Sequence, residues 1–163
     1  MIGITKRNLS PLVSFDLYLE HYHQLLNKLK KEMELKQMSY AIGEPIDHEI
    51  EVVLKQENYD ALVVTALDQI IVWVNQGFTE MTGYNKNFAL GKKPSFLQGK
   101  KTSKSTVRDI GEQLKRSQCY KGSITNYRKN GETYQCEIKI LPIYNSNNEL
   151  THFMALERES KAA

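Results

Sequence analysis

Long hydrophobic runs are missing from this chain. No apolar stretch approaches the ~18 residues that a bilayer span requires. The N-terminus, MIGITKRNLS, has no apolar core of the kind a secretion signal carries. The expectation is a cytoplasmic protein with no membrane partner. Cysteine is scarce: Cys119 and Cys136 are the only two in 163 residues. Two separated cysteines make neither a disulfide framework nor a zinc site, and reduced thiols are expected. Proline is also scarce, at four residues, with nine glycines. Apolar residues make up 40% and charged residues 25%, so collagen-like, low-complexity and disordered classes are excluded. An excess of one charge is lacking too: the net charge of +3 does not call for a nucleic-acid partner.

Chemistry-bearing motifs are equally sparse. The four histidines are His21, His23, His48 and His152. His21 and His23 stand two apart in a helical stretch, which turns them to nearly opposite sides and argues against a shared metal. No glycine-rich phosphate loop and no nucleophile–base pair occur at local spacing. The chain reads as non-catalytic. Its length fits one domain with an extension, and a core of that size stands without metal or disulfides.

Residues 1–58 read as a helical extension. Pro11 to Met38 contains no glycine and no internal proline, and Ser10 before Pro11 is a start signal. Phe15, Tyr18, Leu19, Tyr22, Leu25, Leu26, Leu29 and Met33 recur at three- and four-residue spacing, which makes an apolar stripe. Asp16, Glu20, His23, Asn27, Lys30, Lys31 and Glu34 form the opposite, polar face. Gly43 and Pro45 end the pattern, and a short second helix is expected from about Asp47, with Ile50, Val53 and Leu54 on one face.

Residues 59–163 read as mixed. ALVVTAL and IIVWVN flank Asp68-Gln69 and suggest a hairpin. Ser103 to Gln118 reads as a helix, with strands at about 120–128, 133–144 and 149–158. Asn130-Gly131 suits a tight turn, because both residues tolerate positive φ. The order β-β-α-β-β-β predicts an α+β fold: a five-stranded antiparallel sheet with helices on one face, plus the N-terminal extension. Strand alternation puts Ile70, Val72 and Val74 on one side of the early hairpin, and Ile71 and Trp73 on the other. It also separates Phe153, Ala155 and Glu157 from Met154 and Leu156. A sheet that is apolar on both faces needs cover on both. The stripe from Phe15 to Met33, with Met154 and Leu156, is therefore the expected interface with the same chain's sheet, a second copy or another protein.

The run VVTALDQIIVWVNQGFTEMTGYNKNFALGKKPSFLQG resembles a PAS domain, most clearly in VNQGFTEMTGY. Phe96-Leu97-Gln98-Gly99 and Asn126-Tyr127-Arg128-Lys129-Asn130-Gly131 resemble signatures of the flavin-binding LOV (light-oxygen-voltage) branch. That branch uses a photoreactive cysteine in the pattern GxNCRFLQG. The matching stretch here is Gly91 to Gly99, and the cysteine position is Pro94, so the resemblance implies no thiol adduct. Gln98 and Asn126 match the family's flavin contacts. Lys93 stands for an Asn, Ser95 and Gly111 for two phosphate-binding arginines, Cys136 for a sheet Asn and Glu157 for a Gln.

The implied candidate pocket holds Gln98, Asn126, Cys136 and Glu157. The expectation is a sensory or protein-interaction module with no cofactor, acting as a homodimer or through a downstream signalling protein. A flavin photoreceptor without adduct chemistry, or a small-molecule carrier, is the alternative. Haem is not expected, since the helix at 103–118 has no histidine, and neither is a metal. The basic residues Lys92, Lys93, Lys100, Lys101, Lys104, Arg108, Lys115 and Arg116 read as a solvated face, and nucleic acid is not an expected partner.

Overall fold

The computed structural model describes residues 11–160, and the Pro11 side chain is outside the description. The predicted Ser10 cap lies outside the described residues. Helix α1 spans Pro11–Ile42 and α2 spans His48–Gln56. α1 runs four residues beyond the expected Met38. It stops where Gly43 takes a left-handed φ of 82°, a conformation that glycine adopts without a Cβ penalty. Asp47 caps α2 by accepting the N–H of Glu49.

Strands β1 (Ala61–Ala66), β2 (Ile71–Val74), β3 (Tyr120–Tyr127), β4 (Thr133–Tyr144) and β5 (Leu150–Glu159) form one antiparallel sheet in the order β2-β1-β5-β4-β3. Between β2 and β3 lie α3 (Gln76–Thr82), α4 (Lys86–Ala89), a 3₁₀ turn (Pro94–Leu97) and α5 (Lys104–Lys115). β5 is central, and it pairs with both β1 and β4 along most of its length.

The sheet separates two cores. On the inner face Val63, Ile71, Val74, Phe78, Leu97 and Ile124 pack with the internal helices. On the outer face Leu62, Val64, Trp73, Leu141, Met154 and Leu156 pack under Met38, Ile50 and Leu54 of α1 and α2. Cover for both faces thus comes from one chain. The expected alternation of the early hairpin fails at Val72. Trp73 pairs with Val64 and Ile71 pairs with Thr65, so Val72 is an extra residue in a bulge. Val72 therefore joins Trp73 in the outer core, while Ile71 and Val74 share the inner one.

Of the covers expected for the apolar stripe, the sheet of the same chain is not the one: α1 lays a different face on it. Glu34, assigned to the polar face, is 6% exposed, whereas Met33 of the apolar stripe is 59% exposed. The part of α1 that covers the sheet is Leu35, Met38 and Ile42, and not Phe15 to Met33. Polar pairing explains this choice of face. Glu34 Oε1 accepts from Asn75 Nδ2 at 2.8 Å, and Glu34 Oε2 accepts from the Tyr59 hydroxyl at 2.8 Å. Lys31 Nζ donates to the carbonyls of Lys55 and Glu57, at 3.1 and 2.8 Å, where α2 ends with unpaired carbonyls.

A candidate ligand cavity joined to the N-terminal helix

A cavity of about 400 Å³ opens between the inner face of the sheet and the helical side. Its walls are apolar: Leu97, Val107, Ile110, Leu114, Ile124 and Phe153 all line it. Ser103 caps the helix that supplies three of these residues, because its hydroxyl accepts the N–H of Thr106. The loop before that helix is tied to β3. Thr102 Oγ1 donates to the Thr125 carbonyl at 2.7 Å, and the Lys101 N–H donates to the Tyr127 hydroxyl at 2.9 Å.

Polar groups converge within these walls. Gln98, Asn126 and Glu157 line the cavity. Asn126 and Glu157 are 5% and 4% exposed. Glu157 Oε2 is buried without a hydrogen-bond partner in the protein. Burial raises the Glu157 carboxyl to about 7, against a smaller opposing pull from the Cys136 thiol. Near neutral pH this carboxyl is therefore poised between a hydrogen-bond donor and a buried anion.

Cys136, the fourth expected pocket residue, does not line the cavity. It is 0% exposed and packs in the inner core with Phe78 and Met81. Burial pushes its thiol well above the ordinary range, and the Glu157 carboxyl adds to that shift. The small hydrophobic role explains its position. Pro94, Ser95 and Gly111 line the cavity, as do two cations, Lys93 and Lys115. Lys115 stands four residues after Gly111, one turn along the same face of α5. Both lysines are exposed, as are Lys92, Lys100, Lys101, Lys104, Arg108 and Arg116, so the basic stretch keeps the solvated face expected of it while two of its members border the cavity.

β5 connects this cavity to α1. Phe153, Ala155 and Glu157 line the cavity, while Met154 and Leu156 enter the outer core beneath Met38 and Leu54. Met154 and Leu156, at 0% and 5% exposed, are covered within the chain and present no surface to a partner. A second connection runs through Asn75. Its Oδ1 accepts the N–H groups of Leu62 and Phe78, at 2.9 and 3.0 Å, fixing the step from β2 into α3, while its Nδ2 holds Glu34. The sequence reading placed Asn75 in a motif but gave it no partner, because the pairing spans forty-one positions.

The rest of the expected interface is exposed on α1. Phe15, Tyr18, Tyr22, Leu25, Leu26, Leu29 and Met33 are between 44% and 65% exposed, and Leu19 is half-buried. Among the described residues no helix is long and apolar enough to cross a membrane.

The PAS domain family matches residues 60–159. A blue-light photoreceptor of Listeria innocua is 34% identical over 114 residues, covering 67% of this chain and 45% of that protein. A blue-light-activated histidine kinase of Brucella canis is 34% identical over 88 residues, covering 54% of this chain and 18% of that protein. The chain thus spans less than half the length of these relatives. The light-state structure of the blue-light photoreceptor Aureochrome1 LOV superposes with a TM-score of 0.62 at 24% identity, covering 68% of this chain and 88% of that one. This chain belongs to the PAS domain family, as a LOV-like sensory domain related to blue-light photoreceptors and light-activated histidine kinases.

Proposed function

We infer that this chain is a non-catalytic sensory module in which the state of the inner cavity is passed through β5 to α1. The observation that carries this reading is the alternation of one strand. Ala155 and Glu157 face the cavity, while Met154 and Leu156 face α1 and α2. A ligand that shifts β5 toward the outer face displaces the surface on which α1 rests. Interiors are close-packed, so such a shift is transmitted instead of absorbed. Output then goes through α1, to a second copy of the chain or to a downstream signalling protein. We divide the chain into a helical extension, 1–58, and the LOV-like domain, 59–163, and place it in the cytoplasm.

Flavin is the ligand to test first. The apolar walls suit a flat ring system, Gln98, Asn126 and Glu157 offer hydrogen bonds to its polar edge, and Lys93 and Lys115 offer charge to a phosphate. Lysine supplies that charge without the bidentate geometry of arginine. With Pro94 at the family's cysteine position, a bound flavin meets no thiol there. Flavin, when bound, supplies absorption of blue light. The chain's residues supply the binding, the hydrogen bonds and the path to α1.

An absorbance scan of the purified protein, followed by addition of flavin mononucleotide, tests this ligand. A structured absorption band in the blue, as expected of a protein-held flavin, supports flavin. Aromatic absorption alone, unchanged by added flavin mononucleotide, removes flavin and leaves a different ligand. Native mass spectrometry against the denatured mass then detects any other small molecule.

A further inference from the structure

Eleven of the thirteen large hydrophobic residues exposed among the described residues lie on α1. Scattered exposure is ordinary, but concentration on one helix marks a surface that is covered in use. Within the stripe, Phe15, Leu19, Tyr22, Leu26, Leu29 and Met33 alternate at spacings of four and three. That is the 3.5-residue repeat of two supercoiled helices. This seam lies away from Glu34, Leu35 and Met38, which dock on the rest of the chain. It therefore stays open while α1 remains in place.

The seam is self-complementary in one direction. If two copies run antiparallel about a two-fold axis near Gln24, Phe15 meets Met33, Leu19 meets Leu29 and Tyr22 meets Leu26. Each aromatic ring then packs on an aliphatic side chain or a thioether. The same axis sets the flanking Asp16 opposite Lys30, twice. Lys30 can reach this partner from the surface: its ion pair with Glu34 of its own helix is long, at 4.0 Å, and its side chain is 51% exposed. A parallel pair would stack Phe15 on Phe15 and Tyr22 on Tyr22, and would set Leu25 beside Lys30 with no opposite charge. Antiparallel pairing alternates large and small side chains across the seam, which close packing favours.

We propose that α1 pairs antiparallel with α1 of a second copy of this chain, along the seam from Phe15 to Met33. This rests on the reading of α1 as the output surface and adds its partner and direction. The two sheet domains then sit at opposite ends of a shared helical pair about 27 Å long between the seam's end residues.

The test uses the full chain with Cys119→Ser as background, since Cys119 is exposed and Cys136 is buried. Light scattering on this background protein gives the mass. Phe15→Cys combined with Met33→Cys is then compared with Phe15→Cys alone under mild oxidation. Both substituted residues are exposed, so neither variant touches a core. The expected result is a dimer mass, a covalent dimer from the double variant whose 15–33 link appears by peptide mapping, and little from the single variant. A dimer in which Phe15→Cys alone cross-links efficiently overturns the direction, and so does a dimer with no 15–33 link. A monomer mass at tens of micromolar overturns the homodimer itself, and with it this pairing.

Discussion

Asn75 Nδ2 donates to Glu34 Oε1 at 2.8 Å, across forty-one positions and between buried side chains. The same Asn75 organises the start of α3, so the N-terminal helix is fastened to a structural corner of the sheet domain. The Tyr59 hydroxyl completes the contact. Burial, assisted by Glu34, raises its phenol well above the ordinary value, so it remains a donor.

Glu34→Ala leaves the Asn75 amide and the Tyr59 hydroxyl without their partner. Leaving a buried donor unsatisfied costs about 1–3 kcal/mol. Urea unfolding is expected to show a loss in that range, and hydrogen exchange is expected to speed up in α1 around positions 31–42. Unchanged exchange in α1 would mean that the apolar contacts of Met38 hold the helix unaided.

Glu157 makes stability depend on pH. Its folded value of about 7 lies above the ordinary value of 4.5. Its contribution is full below 4.5, where both states carry the proton. It is lost as pH rises from 4.5 to about 7, and levels off above that. The loss across this window is about 3 kcal/mol by linkage. Glu157→Gln is therefore expected to gain stability over the parent protein at pH 8 and much less at pH 5. Parallel stability curves for the two proteins would contradict the assignment.

Gly77 is a steric requirement. A Cβ there would collide with the backbone oxygen of Asp60, which cannot move aside as a flexible side chain can. Gly77→Ala is expected to destabilise by about 1–3 kcal/mol, the usual range for overpacking. A neutral result in thermal unfolding would show that α3 can move off β1.

The apolar stripe on α1 is tested by Leu29→Glu, within the seam, together with Leu25→Glu, which flanks it. Both positions are about half exposed, so the sheet domain should keep its circular dichroism and melting behaviour. The expected change is from dimer mass to monomer mass in light scattering. A monomer mass both before and after substitution would remove the role given to the stripe.

The fold was legible because its signals are local. Alternation in β5, the Asn130-Gly131 turn and the helical pattern after Ser103 each act within a few residues. The bulge at Val72 was not legible, since a one-residue shift in pairing leaves the composition of the strand unchanged. The orientation of α1 was hidden for a different reason. Periodicity identifies an apolar stripe but does not say what it faces. Here a buried carboxylate with two specific donors turns that stripe outward. In the cavity, Gln98, Asn126 and Glu157 followed from motif and alternation. Cys136 followed from the resemblance but is fully buried in the inner core and does not line the cavity.

The central claim is that the inner cavity and α1 communicate through β5. Ala155 lines the cavity on that strand, so Ala155→Phe imitates an occupied state without a ligand. Hydrogen exchange followed by mass spectrometry compares this variant with the parent chain. The account predicts altered exchange in α1 between Lys31 and Ile42, together with altered exchange at the cavity walls. Changes confined to the cavity walls, with α1 exchanging as before, would contradict it.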